Sequence, residues 1–475
     1  MHIVITAREM VRLEELAIRD GLSPEAFMEE AGLKVAGVAE KMVRGGSVLL
    51  LVGKGNKGGD ALVAGELLLK RGFKVDALMS YEAEECSELN QVMRRRFKGR
   101  VLERECDFSS YGLIIDGLLG TGFRGELEPS PASLIEKANH SEVPILAIDL
   151  PSGLNGTTGD GADKAIQASI TVALGCAKSG FFLKNGWNSV GELIIEEFGL
   201  PLKYWDQAEV FAELPTSSEL KMPRRLRNRH KYQAGYVVGF GGSKAFSGAP
   251  KLTSLAAFRS GAGIVKLFYP KEAEANMCCS FPELIHAPWD EACWNKELER
   301  ASAIFAGPGL GSAVEIKGWL KKYLASAKQP CVLDADALTP DPSSWPKHLI
   351  LTPHRGEVLP LLGLKKALPD EELFKLCQKL SDQTGAVLVL KGAPTWIFGP
   401  NKIPKVIARG HPAMATAGAG DVLTGILASL LAQGLSCWQA AILGTFAHAL
   451  AGERAAREKT SYGLIASDLL EFISV

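Results

Sequence analysis

The residues best suited to chemistry lie in the segment TAGAGD (416–421), which runs directly into the apolar helical stretch 422–427. Small residues let the backbone N–H groups at a helix start converge on an anion, and the helix dipole favours negative charge there. Asp421 is therefore a candidate general base for a hydroxyl group that attacks a bound phosphoryl group. The same segment is also consistent with a helix start that needs small residues only for close packing.

Four other segments follow predicted strands and carry glycines or ionisable side chains. They are GPGLG (307–311), DADAL (334–338), TPHRGE (352–357) and KGAPT (391–395). The carboxyl ends of parallel strands lie at one edge of a sheet, so segments distant in sequence can line one crevice. A lone histidine is usually structural, but the setting of His354 among these segments favours a functional role.

A second group of residues centres on GKGNKGGD (53–60). The loop lacks the register and the Ser/Thr of a Walker A motif, and its match to GxGxxG is weak evidence alone. Two further strand ends accompany it, DGLLGTG (116–122) and DLPSGL (149–154). Three strand-end loops with two carboxylates and a serine predict a site for a phosphate and a cation.

The elements that must position these residues are short apolar runs separated by helical stretches, as a parallel sheet covered on both faces requires. The capping-box pattern of Thr6 and Glu9 predicts one helix start, and Ser23-Pro24 predicts another. The predicted strands are 48–52, 113–116, 145–150, 170–174 and 193–195, then 236–240, 264–268, 303–306, 331–333, 349–351 and 386–390.

A break in this pattern predicts two α/β domains, and the length of 475 residues agrees with two or three. The break contains a linker-like stretch (213–218) and the basic run KMPRRLRNRHK (221–231). Such runs at domain joints are usually solvated linkers, although a nucleic-acid arm remains an alternative. A third interpretation puts His230 and Lys231 at the mouth of the second site.

Composition predicts an ordinary soluble protein, with 47% hydrophobic and 23% charged residues and a net charge of −1. This balance favours neither nucleic acid nor a membrane surface as a partner. No apolar stretch reaches the ~18 residues of a membrane span, and the N-terminus does not resemble a signal peptide. The nine cysteines are scattered without a CxxC pair, which is typical of reduced thiols in a cytoplasmic protein.

The motifs of residues 225–475, together with GGSKAFSGA (241–249) and SYGLIASDLL (461–470), resemble those of the ADP/ATP-dependent NAD(P)H-hydrate dehydratases. This family belongs to the ribokinase-like superfamily. The resemblance implies that NAD(P)H hydrated at C6 of the nicotinamide is phosphorylated on the new hydroxyl, after which phosphate leaves and NAD(P)H is restored. Phosphate is a far better leaving group than hydroxide.

The resemblance also implies roles for individual residues. Asp421 is the expected base and Gly420 lies at the nucleotide, while Asp334 and Glu357 organise Mg²⁺ through water. The expected nucleotide-binding residues are Lys391, Gly392, Ala393, Pro394 and Thr395. The expected hydrate-binding residues are Ala249, Gly309 and His354. ADP is the expected co-substrate, yielding AMP and phosphate.

Residues 1–210 are similar to the NAD(P)H-hydrate epimerases, which interconvert the R and S hydrates. The resemblance implies that Asp149 is the acid/base group and that Asp116 and Ser152 bind K⁺. The hydrate-binding residues it implies are Asn56, Lys57, Gly58, Gly59, Asp60, Gly120, Thr121, Gly122, Phe123, Arg124, Gly125 and Glu126.

Fusion of the two is the arrangement of bifunctional bacterial NAD(P)H-hydrate repair enzymes. The implied fold is α/β in two domains, an N-terminal Rossmann-like three-layer sandwich and a C-terminal ribokinase-like α/β sandwich. The boundaries are 1–212 for the epimerase domain, 213–230 for a linker and 231–475 for the dehydratase domain. The expected partners are small molecules, with self-association into a homo-oligomer.

One residue departs from the epimerase pattern. The family loop reads NNGGD and its second asparagine is a K⁺ ligand, but this chain has Lys57 at that position. An ammonium group has the charge of K⁺ and a similar size, so Lys57 could replace the ion. The alternative is that Lys57 points into solvent and leaves a weakened K⁺ site.

Two other functions remain open. The ribokinase-like fold also serves vitamin and small-alcohol kinases. The N-terminal domain resembles scaffold domains of mRNA-decapping proteins, and a damaged site at Lys57 would suit that role. The presence of Asp60, Asp116, Asp149 and Ser152 argues against a scaffold, which has no need of all four.

Overall fold

The structure is a computed structural model that describes residues 2–43, 45–102, 106–222, 224–277, 280–311 and 314–474. Cys278 and Cys279 lie outside the described residues. The chain divides into two compact units, Met1–Glu213 and Leu214–Val475. None of the helices in these described ranges has the length and apolarity needed to cross a membrane.

Among its described residues, the first unit contains ten strands and seven helices. The strands are β1 (Ile3–Ile5), β2 (Val48–Val52), β3 (Val75–Met79), β4 (Arg100–Leu102), β5 (Leu113–Gly117), β6 (Ile145–Ile148), β7 (Ile170–Leu174), β8 (Ala177–Lys178), β9 (Glu192–Glu196) and β10 (Ala212–Glu213). The helices are α1 (Ala7–Arg19), α2 (Pro24–Met42), α3 (Asn56–Lys70), α4 (Glu88–Arg96), α5 (Pro129–His140), α6 (Trp187–Val190) and α7 (Leu202–Trp205).

Seven of these strands form a parallel sheet in the order β4-β3-β2-β5-β6-β7-β9. Successive residues of β2 point to opposite faces, so Leu50 packs in one apolar core and Leu49 and Leu51 pack in another. The first core includes Leu13 from α1, and the second includes Leu134 from α5. Helices therefore cover both faces, which is the expected three-layer sandwich.

The helix starts show the predicted caps. Thr6 Oγ1 accepts a hydrogen bond from Glu9 N at 3.0 Å, and Ser23 Oγ accepts one from Ala26 N at 3.2 Å. The carboxylate of Glu9 instead binds Arg12 and the backbone N–H of Glu209. The capping box at Thr6 is thus only half formed, since Glu9 has stronger partners than the N-cap N–H.

The second unit contains nine strands and nine helices among its described residues. The strands are β11 (Tyr236–Phe240), β12 (Ile264–Tyr269), β13 (Ile285–Pro288), β14 (Ala303–Ala306), β15 (Cys331–Leu333), β16 (Leu349–Leu351), β17 (Val387–Leu390), β18 (Thr395–Phe398) and β19 (Lys405–Ile407). The helices are α8 (Gly248–Arg259), α9 (Glu274–Met277), α10 (Glu291–Arg300), α11 (Val314–Leu324), α12 (Arg355–Leu361), α13 (Asp370–Thr384), α14 (Ala419–Ala432), α15 (Cys437–Lys459) and α16 (Leu469–Phe472).

The strand order in this unit is β13-β12-β11-β14-β15-β16-β17-β18-β19. The pairs from β13 to β17 are parallel, and β18 and β19 continue the sheet antiparallel. Helix α14 is buried against α8, where a Cβ on Gly425 would lie 2.1 Å from Thr253 O. Glycine is required at this helix crossing because the backbones approach too closely for a side chain.

The strand order of each sheet reverses at one point. This point lies between β2 and β5 in the first unit and between β11 and β14 in the second. Open α/β sheets bind ligands at the carboxyl end of such a reversal. The residues picked out by sequence follow β2, β5 and β6 in one unit and β14 to β17 in the other.

Of the basic segment, residues 224–231 pack on their own unit at the opposite end of the sheet. Arg229 Nη2 donates to Gly261 O at 3.4 Å, and Lys231 O lies against Gly263, just before β12 begins. The interpretation that His230 and Lys231 lie at the mouth of the second site is wrong, because they adjoin the amino ends of the strands.

Candidate active sites

The loop of residues 53–60 turns from β2 directly into α3. A Cβ on Gly53 would lie 1.8 Å from Leu118 O, so the loop can pass β5 only with glycine there. Helix α3 begins at Asn56, and Gly55 supplies no side-chain cap. Backbone N–H groups at this helix start are therefore available to an anion.

Helix α4 fixes the loop from the side. Asn90 is buried, and its Nδ2 donates to Gly53 O at 2.9 Å and to Gly55 O at 2.8 Å. Ser87 Oγ donates to Asn56 Oδ1 at 3.0 Å. Sequence reasoning missed Asn90, since nothing near it in sequence identifies a carbonyl-binding amide.

Lys57 points inward from the first turn of α3. Its side chain is 4% exposed, and its Nζ lies within hydrogen-bonding distance of four oxygens. These are Asp116 Oδ2 at 3.2 Å, Leu119 O at 2.9 Å, Leu150 O at 2.5 Å and Ser152 Oγ at 3.1 Å. Burial lowers the pKa of Lys57, and the nearby Asp116 carboxylate opposes that effect.

Asp116 and Ser152 form a fully buried pair at the ends of neighbouring strands. Ser152 Oγ donates to Asp116 Oδ1 at 2.5 Å, and Ser152 N donates to Asp116 Oδ2 at 2.8 Å. The backbone N–H of Leu118 also donates to Asp116 Oδ1, at 3.1 Å. Both oxygens of Asp116 are thus held before any ligand binds.

Asp149 follows β6 in a left-handed backbone conformation, with φ of +61°. Its Oδ1 accepts hydrogen bonds from Lys178 Nζ and from Leu174 N. Lys178 is completely buried and also donates to Leu174 O at 3.0 Å and to Cys176 O at 3.1 Å. Sequence reasoning missed Lys178, which belongs to a two-residue strand outside the quoted motifs.

Two more carboxyl groups act on this site electrostatically. Burial raises the pKa of Glu14, on α1, to about 7, and the charge of Asp149 adds to the shift. Burial also raises the pKa of Asp60 well above its usual value, again assisted by Asp149. Glu14, Asp60 and Asp149 with two buried lysines therefore form a cluster suited to proton exchange.

The segment 120–126 is only partly beside these groups. Gly120 borders Lys57, because a Cβ on Gly120 would lie 3.5 Å from Lys57 Cβ. Phe123, Gly125 and Glu126 instead line a cleft of about 670 Å³ against α5. The first unit therefore places Gly120 at the buried cluster and Phe123, Gly125 and Glu126 around a neighbouring opening.

In the second unit, Asp421 lies in the first turn of α14. The preceding Gly418 caps this helix with φ of +95°, a conformation that favours glycine. Burial raises the pKa of Asp421 to about 7; the nearby Asp334 carboxylate adds to the shift and Lys391 opposes it. A carboxyl group with such a pKa can take up a proton near neutral pH.

Asp334, at the end of β15, joins three elements. Its Oδ1 accepts from Lys391 Nζ at 2.7 Å, and its Oδ2 accepts from Thr424 Oγ1 at 2.8 Å. Lys391 Nζ is also 3.7 Å from Glu357 Oε2. Thr424 was not anticipated; its position one helical turn after Asp421 was the available signal.

The expected nucleotide residues adjoin this group. A Cβ on Gly420 would lie 3.4 Å from Lys391 Nζ, so the start of α14 and the end of β17 meet there. Lys391 N donates to Pro353 O at 2.8 Å, which brings the KGAPT and TPHRGE segments side by side. Thr395 Oγ1 donates to Gly392 O at 3.0 Å within KGAPT.

The expected hydrate residues border the same edge of the sheet. A Cβ on Gly309 would lie 3.4 Å from Ala249 Cβ, at the start of α8. His354 caps α12 by accepting from Gly356 N at 2.9 Å, and its side chain is 59% exposed. Within the described ranges, no three His, Cys, Asp or Glu side chains form a metal cluster.

These folds and sites define a fusion of two α/β domains. In each domain, a helix N-terminus without a side-chain cap lies beside buried carboxylates and a lysine. The NAD(P)H-hydrate dehydratase family matches residues 237–474, and the YjeF-related protein N-terminus matches residues 24–180. Together they cover the segments that carry both sites.

Relatives match the whole chain. The bifunctional NAD(P)H-hydrate repair enzyme Nnr of Moorella thermoacetica is 33% identical over 99% of this chain and 96% of the relative. The enzyme of that name from Coxiella burnetii is 32% identical over 100% and 99%. The chain belongs to the family of bifunctional NAD(P)H-hydrate repair enzymes.

A solved ADP/ATP-dependent NAD(P)H-hydrate dehydratase of Bacillus subtilis, co-crystallised with ATP/Mg²⁺, is 27% identical over 55% of this chain and 96% of that one, with a TM-score of 0.49.

Proposed function

We propose that this chain repairs hydrated NAD(P)H by two activities, epimerisation of the R and S hydrates and ADP-dependent dehydration of the S epimer. The observation that carries the proposal is full-length similarity to enzymes named for this repair, combined with a cluster of ionisable groups at each sheet reversal. We assign epimerisation to residues 1–212 and dehydration to residues 231–475, with residues 213–230 as the linker.

In the dehydratase domain, Asp421 accepts the proton of the C6 hydroxyl as that oxygen attacks the β-phosphoryl group of ADP. AMP departs, and the phosphate ester then eliminates phosphate to restore NAD(P)H. The pKa of about 7 for Asp421 supports this role. Lys391 and the N–H groups at the start of α14 suit the phosphates by charge and by direction.

Binding roles in this domain follow from position. Gly420 and the segment 391–395 serve the nucleotide, while Ala249, Gly309 and His354 serve the hydrate. Asp334 and Glu357 are the carboxylates placed to bind Mg²⁺ through water, since Mg²⁺ retains much of its hydration and binds through few protein ligands. Mg²⁺ supplies charge neutralisation of the nucleotide phosphates.

In the epimerase domain, Asp149 is the proposed acid/base group. Residues 56–60 receive the phosphates of the hydrate at the start of α3, and residues 120–126 border it. We assign no K⁺ ion to Asp116 and Ser152 in this proposal, because Lys57 Nζ lies 3.2 Å from Asp116 Oδ2 and 3.1 Å from Ser152 Oγ. A second cation would meet a like charge there.

The dehydration assay separates this proposal from a small-alcohol kinase. Purified enzyme receives NAD(P)H-hydrate, ADP and Mg²⁺, and the absorbance of reduced nicotinamide is followed together with inorganic phosphate. Recovery of absorbance in step with phosphate supports the dehydratase. A stable phosphorylated product without phosphate release would establish a kinase, which the full-length relatives do not favour.

We include in the proposal a cytoplasmic location and self-association into a homo-oligomer. The scattered cysteines support the first, and the free thiols include those of Cys86, Cys106, Cys176, Cys331, Cys377 and Cys437. Light scattering coupled to size-exclusion chromatography tests the second, and a monomer at micromolar concentration would refute it.

A further inference from the structure

We infer that the Lys57 ammonium is a built-in monovalent cation, so that the first unit acts without K⁺. The inference rests on the proposed epimerase function and adds to it the identity of the cation. It starts from the surroundings of Lys57 Nζ, which lies among four oxygens at 2.5 to 3.2 Å.

The number and kind of these oxygens distinguish the arrangement from an ordinary ion pair. An ammonium group has three hydrogens, yet four acceptors surround it. One belongs to a carboxylate, two to backbone carbonyls and one to a hydroxyl. Hard oxygen donors of this mixture suit a monovalent cation, and the chain fills the position with its own charge.

The four oxygens come from two distant segments. Asp116 is the penultimate residue of β5 and Leu119 lies in the loop that follows it, whereas Leu150 and Ser152 belong to the loop after β6. Lys57 enters from α3, so its ammonium joins three elements at the reversal of strand order. The ammonium therefore fixes the two loops on which Asp149 and Gly120 depend.

Geometry also excludes simple exchange between lysine and an ion. The side chain of Lys57 is 4% exposed and Asp116 is completely buried. For K⁺ to occupy the oxygen shell, Lys57 Nζ would have to leave its four hydrogen-bond partners. Such a displacement is unfavourable, because the buried ammonium group of Lys57 would lose its hydrogen bonds.

The test compares wild-type protein with Lys57→Asn, whose side chain carries no charge. Epimerisation and thermal unfolding are measured in KCl and in choline chloride at equal ionic strength. Wild-type protein should show less than a twofold difference in rate and the same midpoint in both salts. Lys57→Asn should lose at least tenfold in choline, regain part of the rate in KCl and unfold at a higher temperature in KCl.

The matched control is Lys54→Asn, in the same loop. Lys54 Nζ is at the surface, 3.0 Å from Glu128 Oε1, so its loss should create no dependence on K⁺. Dehydration by the same samples reports that the chain remains intact.

Two results overturn the inference. One is strong stimulation of the wild-type epimerase by K⁺. The other is a folded Lys57→Asn protein whose rate and unfolding midpoint ignore K⁺. If wild-type protein has no epimerase activity in either salt, the proposed function fails, while the unfolding midpoints still test the cation.

A second inference comes from a different contact. We propose that Lys178 is the positioning residue of Asp149, holding Oδ1 so that Oδ2 faces the substrate. Lys178 Nζ has three acceptors, Asp149 Oδ1, Leu174 O and Cys176 O, and so uses all three of its hydrogens. Burial is the largest influence and would lower the pKa of Lys178, but the charges of Asp149, Cys176 and Glu14 and the hydrogen bond to Asp149 together outweigh it, and the pKa is raised.

This contact leaves the two oxygens of Asp149 unequal. Within the described residues, hydrogen bonds from Lys178 and Leu174 reach only Oδ1. Oδ2 is the atom available to exchange a proton with the hydrate. Since epimerisation is an isomerisation, a proton that Oδ2 takes up is returned within the same turnover.

Lys178→Met and Lys178→Arg test the role, with Lys203→Met as the control at a lysine that is 63% exposed. We expect Lys178→Met to lower kcat of epimerisation at least 30-fold with KM changed less than threefold, and Lys178→Arg to recover part of kcat. Lys203→Met should leave both constants unchanged.

A purely structural Lys178 would give a different pattern. The unfolding midpoint of Lys178→Met would fall while kcat of the folded fraction stayed at the wild-type value, and that result would overturn the inference. If Lys178→Met does not fold, the arginine variant decides: a wild-type unfolding midpoint with kcat partly lost supports positioning, and kcat that falls only in proportion to the folded fraction refutes it.

Discussion

Lys57 Nζ and Asp116 Oδ2 lie 3.2 Å apart, and both side chains are withdrawn from solvent. A buried ion pair is weak evidence for net stability, because desolvation of both charges offsets their attraction. Removing one partner is different, since the remaining charge is left buried without compensation. Substitution of either partner alone is therefore expected to destabilise the first unit.

The first prediction concerns Asp116→Asn. We expect this change to lower the free energy of unfolding of the first unit by roughly 3 kcal/mol or more, because Lys57 loses its charged partner. Urea denaturation followed by far-UV circular dichroism measures the effect. Asp20→Asn is the control: its pair with Lys203 is exposed, so the denaturation midpoint should change little.

The second prediction concerns the base of the dehydratase. Asp421→Asn should lower the rate of dehydration by at least ~10²-fold, the smaller end of what a general base contributes. Phosphate release and nicotinamide absorbance measure it, and epimerisation by the same chain is the control. Turnover near the wild-type value would contradict the proposed mechanism.

The third prediction is the pH dependence of dehydration. Asp421 must be ionised to accept a proton, and its pKa is about 7, so kcat/KM should fall as the pH drops below about 7. Lys391 lowers the pKa of Asp421, so Lys391→Met should move this decline to higher pH. Lys402→Met, at an exposed lysine of the same unit, should leave the midpoint in place.

The fourth prediction follows from the sign of the same shift. A carboxyl with a raised pKa in the folded state binds more protons when folded, so its ionisation costs stability between about pH 4 and pH 7. At pH 8, the free energy of unfolding of Asp421→Asn should therefore exceed that of wild type by roughly 1 to 4 kcal/mol. The variant should accordingly unfold at a higher temperature. The difference should shrink toward pH 4; a constant difference would contradict the shift.

Much of the fold was predictable because continuous apolar runs bounded by Gly, Asp and Ser indicate buried parallel strands. Strands 170–174, 236–240 and 303–306 agree with the structure at both ends. The run 145–150 was predicted too long, since Asp149 turns to positive φ after Ile148. Apolar character continues through Leu150, so the pattern could not show where pairing stops.

The candidate sites were predictable where residues follow strand ends and less so where a side chain arrives from elsewhere. Asp116, Ser152 and Asp334 are of the first kind. Asn90 and Lys178 are of the second, because their roles depend on contacts with Gly53 and Asp149 across 37 and 29 positions. The sequence raised two orientations for Lys57, and burial decides between them.

One chain carries both activities, epimerisation of hydrated NAD(P)H and dehydration of the S epimer, so a single assay can measure them together. The most direct measurement supplies an equal mixture of R and S hydrates with ADP and Mg²⁺ in choline chloride free of K⁺, and follows nicotinamide absorbance to completion. With both activities present, conversion should be complete in one continuous catalysed phase. Conversion that stops at half and then drifts at the spontaneous rate would contradict this expectation.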